Sequence, residues 1–294
     1  MNRFLERLNA GEVLIADGAT GTNLQRMGLK DKFVPEDLVL DQPDILLKLE
    51  GAFVEAGSDI LLTCTFGGTD LRMKESKYAG KSSEVNRRAA ELARRAASTR
   101  TNVLVAGSMG PTGLLMKPYG PLLPDEAKAS FARQAKALAE GGVDLLIIET
   151  FFALDEATAA FEGARSVTGL PIVVSFSYDR GVRTMMGVKP TEVMRKYKGL
   201  GAAAVGANCG TTLENMEKIV QEYAAAEPGF PIWAKPNAGL PRMEGTTSVY
   251  DVTPAQMGES ALRSIASGAR IVGGCCGSSP QHVAGIARAV RSRK

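Results

Sequence analysis

Residues Asp144 to Ser177 read DLLIIET, FFAL, DEATAAFEGARS, VTGL, PIVVSFS, and this stretch decides the fold. Its first seven residues are apolar until they end on an acid and a threonine, which suits a buried strand (Asp144 to Thr150). Asp155 to Ser166 then has its apolar residues at helical spacing. A second β-branched run, Pro171 to Ser177, follows a Gly-Leu break. Strand, helix, strand in about thirty residues is a crossover unit that joins parallel strands.

The unit repeats in both directions. Upstream lie Val13 to Asp17, Ile60 to Phe66 and Val103 to Ser108, and downstream lie Ala203 to Cys209, Ile232 to Asn237 and Arg270 to Cys276. Helical patterns follow each run, near Asp44 to Gly57, Ser83 to Ala97, Asp125 to Gly141, Thr191 to Lys198, Leu213 to Ala226, Thr253 to Ser267 and Ser279 to Arg291. Stop and start signals support them: Gly141-Gly142 ends one, and Thr253-Pro254 pairs an N-cap with proline at the first helical position. Eight such repeats over 294 residues, with no linker between them, predict an α/β protein made of a single (β/α)8 TIM barrel spanning residues 1–294. An open doubly wound sheet would also alternate. However, DGATGTN after the first strand lacks the G-x-G-x-x-G spacing of that class.

Composition narrows the chemistry. The chain has one histidine, His282, so a multi-histidine metal site is excluded and a Ser-His-Asp triad could use only that residue. Thirty-five Lys and Arg against 32 Asp and Glu leave a formal charge of +3, too little for a phosphate-tracking surface, so no nucleic-acid partner is expected. The pairs Arg87-Arg88 and Arg94-Arg95 fall in an alanine-rich helical pattern and read as a solvated face. No apolar run approaches the ~18 residues of a membrane span, and the charged start lacks a signal-peptide core. The expected location is cytoplasmic. Four cysteines are too few for a disulfide scaffold, which points to reduced thiols kept for chemistry or metal.

In a barrel of this kind the site forms at the C-terminal ends of the strands. Polar residues that end an apolar run are therefore candidates: Asp17, Thr63 or Thr65, Ser108, Glu149, Ser175 or Ser177, Asn208 with Cys209, Asn237, and Cys275 with Cys276. Strand alternation turns Cys64 away from Thr63 and Thr65, and a buried apolar role suits it. Cys209, Cys275 and Cys276 end strands six and eight, one strand apart at a common mouth. Adjacent cysteines can reach one ion where the backbone is irregular, as Gly274 and Gly277 permit. Three thiolates without imidazole favour a soft or borderline cation, zinc being the common choice. The glycine-rich stretch from Gly273 to Pro280 leaves a rival open, a phosphate-binding barrel lyase using backbone amides.

Seven motifs extend this reading: DGATGT from Asp17, TCTFGGT from Thr63, GSMGPTG from Gly107, IIET from Ile147, GANCG from Gly206, KPNAG from Lys235 and GGCCGSSPQH from Gly273. Together they resemble the homocysteine S-methyltransferase family, the zinc-dependent domain shared by cobalamin-dependent methionine synthase, betaine-homocysteine methyltransferase and S-methylmethionine-dependent enzymes. The resemblance implies a methyltransferase in methionine biosynthesis that binds one Zn2+ per chain through Cys209, Cys275 and Cys276. It also implies that Asp17 and Glu149 hold the amino group of homocysteine, with backbone amides around Gly18 and Ala19 receiving its carboxylate. Asn237, on strand seven between the cysteine-bearing strands, is expected to offer its amide oxygen to zinc until homocysteine arrives. His282, just beyond the cysteine loop, is expected to be structural.

GPTGLLMKPYG, Gly110 to Gly120, is closest to the methionine-synthase branch. That branch carries folate and cobalamin modules beyond this domain, and 294 residues accommodate neither. The donor expected is therefore methylcobalamin on a separate corrinoid protein. Small onium donors such as S-methylmethionine or betaine are the alternative, with Phe151 and Phe152 either cradling the cation or packing the core. TCTF, where methionine synthases commonly show TNTF, keeps another thiol acceptor open. A third class is a docking subunit without activity. Nothing in the sequence indicates an oligomeric state.

Overall fold

The computed structural model describes residues 2–29, 33–210, 212–244 and 247–293. Its strands are β1 (Leu14–Ile15), β2 (Ile60–Leu62), β3 (Leu104–Met109), β4 (Leu145–Phe151), β5 (Ile172–Phe176), β6 (Ala204–Asn208), β7 (Ile232–Lys235) and β8 (Ala269–Val272). They lie parallel in the order β1-β8-β7-β6-β5-β4-β3-β2. A parallel bridge from Ala16 to Ile60 and a hydrogen bond from Asp17 N to Ile60 O (3.0 Å) join the two ends. The expected (β/α)8 barrel is what forms.

Eight helices surround it: α1 (Pro43–Ala56), α2 (Ser82–Ala97), α3 (Pro124–Glu140), α4 (Leu154–Val167), α5 (Pro190–Gly199), α6 (Leu213–Ala226), α7 (Pro254–Ala266) and α8 (Pro280–Arg291). Proline stands at the first helical position of α1, α3, α5, α7 and α8. Its missing N–H costs nothing there and its fixed φ starts the turn, so α1, α3 and α5 begin one residue before the polar residue expected to start them. Thr253 caps α7 through a capping box with Gln256, and Gly142 takes a φ of +86° behind α3. Among the described residues no helix is long and apolar enough to cross a membrane.

Several runs end earlier than their composition suggests: β1 at Ile15 and β7 at Lys235 stop short of Asp17 and Asn237, β5 and β6 end just before Ser177 and Cys209, and two strands fall shortest. β2 stops at Leu62 and β8 at Val272, because Thr65 N turns back to Thr63 O (2.9 Å) and Gly274 N to Asp17 O (3.1 Å) instead of continuing the ladder. An antiparallel pair, Arg242–Glu244 with Thr247–Val249, rises between β7 and α7 and was not expected. Neither was the helix Arg3–Asn9, capped by Asn2, whose Phe4 and Leu8 plug the bottom of the barrel.

The interior explains where the site lies. Leu145 and Ile147 face the barrel axis while Leu146 and Ile148 face the helices, so period-two alternation brings Glu149 to the axis one step higher. The same count places Ser108 above Leu104 and Ala106, Ser175 above Val173, Asn208 above Ala204, and Lys235 above Trp233. The lower layers are apolar and the top layer is polar. Gly206 lies beside Trp233 in register; a Cβ on it would fall 1.9 Å from Trp233 O and 2.7 Å from Trp233 Cβ. Gly206→Ala should therefore destabilise the protein by about 1–3 kcal/mol through overpacking against backbone that cannot yield. Urea unfolding of the two proteins checks this, and equal midpoints would contradict it.

Candidate metal and acceptor site

Cys209 follows β6, and Cys275 and Cys276 follow β8, so the barrel itself brings the three sulfurs together. All lie within 4.8 Å of one another, and Cys209 and Cys276 are 3.8 Å apart. Tetrahedral zinc with Zn–S bonds near 2.3 Å needs sulfurs about 3.8 Å apart. The donor set and spacing thus fit one soft or borderline cation.

The backbone is bent to make this possible. Cys209 has a φ of +58°, in the left-handed region that a residue with a Cβ enters only when its surroundings hold it there. Gly277, at +80°, turns the chain behind Cys276, and a Cβ on it would fall 2.2 Å from the Tyr250 ring. Gly274 serves close approach, since a Cβ there would meet Ser278 Oγ at 2.2 Å. The three thiols share their protons: hydrogen bonds from Cys275 and Cys276 pull Cys209 down, and the same bonds push Cys276 far up. The cluster loses its first proton readily and its last reluctantly. Tyr250 donates its hydroxyl toward Cys276, while burial and the neighbouring sulfurs push its own ionisation up to about 12.

Beside the sulfurs lies a buried polar floor. Asp17 accepts from Leu62 N through Oδ2 (2.7 Å) and from Lys235 Nζ through Oδ1 (2.7 Å). Glu149 accepts from Ser108 Oγ (2.6 Å) and Asn208 Nδ2 (3.3 Å). Burial raises the Asp17 carboxyl against the pull of Lys235, and it raises Glu149 to about 7. Desolvation alone would lower Lys235, but the Asp17 and Glu149 carboxylates hold its ammonium above the ordinary lysine value. Sequence reasoning named Asp17 and Glu149 as candidates and gave Lys235 no role. Its one signal, the inward parity it shares with Trp233, has meaning only once the inner face is known.

A cavity of about 610 Å³ brings Glu149 and Lys235 together with the sulfurs, while Asp17 lies behind Lys235 and does not line it. Gly18, Ala19, Ser108, Glu149, Lys235 and the three cysteines line one end, and Phe33, Glu36, Phe66, Arg72 and Glu75 line the other. Ala19 N donates to Ser278 O (3.1 Å), which leaves the Gly18 amide as the unspent one of the two. Asn237 is buried and its Oδ1 has no hydrogen-bond partner among the described residues, while its amide group hydrogen-bonds Cys209.

The remaining candidates sort plainly. Thr63 and Thr65 bond each other (2.6 Å), and Cys64 is buried between them with its sulfur toward Pro35 O (3.5 Å). Burial drives that thiol well above the ordinary range. Phe151 is a core residue packed on Phe131 at 5.8 Å, and Phe152 does not line the cavity. His282 caps α8 through Ser279 and donates from Nε2 to Val252 O (2.7 Å), a structural role. The amides a phosphate would need are spent: Gly277 N on Thr22 Oγ1 (3.2 Å), Ser278 N on Cys275 O (3.0 Å) and Ser279 N on His282 Nδ1 (3.1 Å). The loop after β8 therefore presents sulfur, and the phosphate-lyase alternative loses its binding groups.

Known proteins share this fold. Solved structures with the same fold include the homocysteine methyltransferase MmuM from Escherichia coli in its metallated form, at 22% identity and a TM-score of 0.84, covering 98% of this chain and 99% of that one. The oxidized form of the same protein gives 24% identity and a TM-score of 0.83 over 99% and 100%. A methyltransferase from Methanosarcina mazei is more distant, at 13% identity and a TM-score of 0.64 over 98% and 97%. The family model for homocysteine S-methyltransferase matches residues 14–290, from the first barrel strand through the last helix. The chain is a methyltransferase and belongs to the homocysteine S-methyltransferase family.

Proposed function

We propose that the protein methylates the sulfur of L-homocysteine to form methionine, with one zinc ion held by Cys209, Cys275 and Cys276. The observation that carries this reading is the meeting of three sulfurs, all within 4.8 Å of one another, with the buried carboxyl of Glu149 in one cavity. A free thiol is mostly protonated at neutral pH, and the thiolate is the nucleophile. Bound zinc would supply a Lewis-acidic fourth position that favours loss of the acceptor's S–H proton. The sulfur lone pair then takes the methyl carbon from the donor, whose bond to that carbon breaks, and the thiol proton leaves to solvent. No general base is required, which suits a site whose chain has one histidine and spends it on a helix cap.

The acceptor's ammonium is assigned to Glu149 and Asp17, and its carboxylate to the Gly18 amide. Asn237 completes the donor set before the acceptor binds: its orphaned Oδ1 would gain the partner that a buried carbonyl requires. This assignment makes Asn237 the group that homocysteine displaces.

For the donor we favour a methyl-corrinoid protein. Exposed apolar side chains rim the mouth, with Leu115 and Tyr119 after β3, Met185 and Met186 after β5, and Leu240 and Met243 after β7. Such a rim suits a docking macromolecule. A second reading has its own support, because the far lobe of the cavity combines Phe33 and Phe66 with the carboxyls of Glu36 and Glu75, a setting for a small methyl-onium compound. Methionine formation assayed side by side with methylcobalamin, S-methylmethionine and betaine separates them; turnover with S-methylmethionine or betaine but not methylcobalamin would remove the corrinoid reading.

Cys275→Ala should retain less than about a tenth of the zinc of the unaltered protein, lose turnover and keep its far-UV dichroism, since the fold rests on strand pairing. Full activity in that variant after zinc depletion would sink the mechanism. Glu149 is ionised only above about pH 7. Its attraction for the ammonium is present at higher pH and lost as pH falls through that value, so the homocysteine KM should rise on acidification by up to about tenfold per pH unit. Glu149→Gln should raise KM at neutral pH and flatten the Glu149 contribution to this dependence. A KM–pH profile that stays the same in the variant would remove the assignment.

A further inference from the structure

Thr63 and Thr65 follow β2 and have no part in sulfur activation, yet both line the cavity. Main-chain bonds between β2 and β3 recur in steps of two residues: Leu104 N donates to Asp59 O (2.8 Å) and Thr63 N to Ala106 O (3.0 Å). One step further the ladder would pair Ser108 N with Thr63 O and Thr65 N with Ser108 O. The chain departs from that pattern, because Thr65 N turns back to Thr63 O (2.9 Å). The two side chains supply the missing bonds: Ser108 N donates to Thr63 Oγ1 (3.0 Å), and Thr65 Oγ1 donates to Ser108 O (2.7 Å). Each hydroxyl stands in for a main-chain group of its own residue. The two hydroxyl oxygens lie 2.6 Å apart. A hydroxyl has a single proton, and that of Thr65 is spent on Ser108 O, so Thr63 donates to Thr65. Donors therefore run from Ser108 N through Thr63 and Thr65 back to Ser108 O, a closed ring. Thr63, Thr65 and Ser108 are 3%, 0% and 2% exposed, so water cannot replace a lost member. Ser108, held in the ring, donates from Oγ to Glu149 Oε1 (2.6 Å), while Asn208 Nδ2 reaches Glu149 Oε2 (3.3 Å) from β6.

We propose that Thr63 and Thr65 are positioning residues for the acceptor: their paired hydroxyls clamp both main-chain groups of Ser108, which aims the Ser108 hydroxyl at Glu149 and holds that carboxyl in place for the acceptor's amino group. The inference rests on the assignment of the ammonium to Glu149 made above. A serine side chain takes staggered rotamers, and the main chain that carries it decides where each one points. β4 holds this end of β3 from one edge, with Ser108 opposite Ile147. The ring holds it from the other edge, where β2 has already left the ladder. A carboxylate offers about four acceptor positions, so the Ser108 and Asn208 donors leave room on Glu149 for a ligand. Losing either threonine hydroxyl opens the ring and strands a buried main-chain group. Without Thr63 Oγ1 that group is the Ser108 amide; without Thr65 Oγ1 it is the Ser108 carbonyl, left with only Gln134 Nε2 at 3.4 Å. Ser108 then shifts off its bond to Glu149, and the acceptor binds less tightly although every group that touches it is still present.

Calorimetric titration of zinc-loaded protein with L-homocysteine tests this through a double-mutant cycle on Thr63→Val and Ser108→Ala, with zinc content measured on the same samples. Thr63→Val keeps the branched shape and removes the hydroxyl. The expected result is a Kd about three- to tenfold higher in each single variant, no further loss when the two are combined, and unchanged zinc content. Thr63→Ser, which restores the hydroxyl, should recover the binding lost in Thr63→Val. A threonine that only stabilised the barrel would cost the same added binding whether or not Ser108 kept its hydroxyl. Losses that add in full, an unchanged Kd in Thr63→Val, or no recovery in Thr63→Ser would overturn the proposal. Should Thr63→Val not fold, Thr65→Val takes its place in the cycle with the same expectations, since Ser108 O keeps Gln134 Nε2 beside it. If Glu149→Gln binds L-homocysteine as tightly as the unaltered protein, the ammonium assignment falls and takes this inference with it. If Glu149→Gln binds it more weakly and the threonine variants do not, the inference falls alone.

Discussion

The inner face of an eight-stranded parallel barrel has room for only a few side chains per layer, and this steric limit governs the rest of the molecule. Strands β6 and β7 approach so closely that Gly206 can carry no side chain, since a Cβ on it would run into the carbonyl of Trp233. With the lower layers packed by Leu, Ile, Val and Trp, polar groups fit the interior only at the top, where the strands end. The step from Ile147 to Glu149 or from Trp233 to Lys235 is one turn of the pleat, yet it takes the chain from oil-like core to reaction site.

At that level burial sets the electrostatics. Asp17 and Glu149 are nearly removed from water, the three cysteine sulfurs stand close by, and Lys235 is the counter-charge they share. A low local dielectric makes each of these charges matter more than it would at the surface. The exposed ion pairs on the helices, such as Lys128 with Glu162, act in water and contribute little by comparison. The polar economy of this protein is concentrated within a few ångströms of one axis.

Much of the fold was legible because its signals are local. Apolar runs mark the strands, and prolines at helix starts place α1, α3, α5, α7 and α8 within a residue. The ends of β2 and β8 were not, because TCT and GGCC keep the composition of strands while the amides of Thr65, Gly274 and Cys275 bond outside the strand ladder. In the site, the cysteines and the two acids stood out as polar breaks in apolar runs. Lys235 did not, since a lysine before proline at the end of a run reads as a solvent-facing residue. Its meaning comes from Asp17, 218 positions away in the chain. The antiparallel pair Arg242–Glu244 and Thr247–Val249 gave no alternating pattern to read, and Phe4 and Leu8 were too short a pattern to signal a barrel plug.

The backbone that carries Cys275 and Cys276 is tied to the barrel by its own hydrogen bonds. Gly273 N bonds Ala234 O (3.1 Å), Cys275 N bonds Pro236 O (2.7 Å), and Ala238 N bonds Cys276 O (2.9 Å), lacing the loop to β7 and its extension. In small metal domains the ion gathers loose ligands and much of its binding energy becomes folding energy. Here the ligands are mounted on a finished scaffold, so an ion can come and go as a passenger while the architecture stays. For the zinc proposed above, metal supply would then govern how many molecules are competent at a given moment, independently of how many are folded.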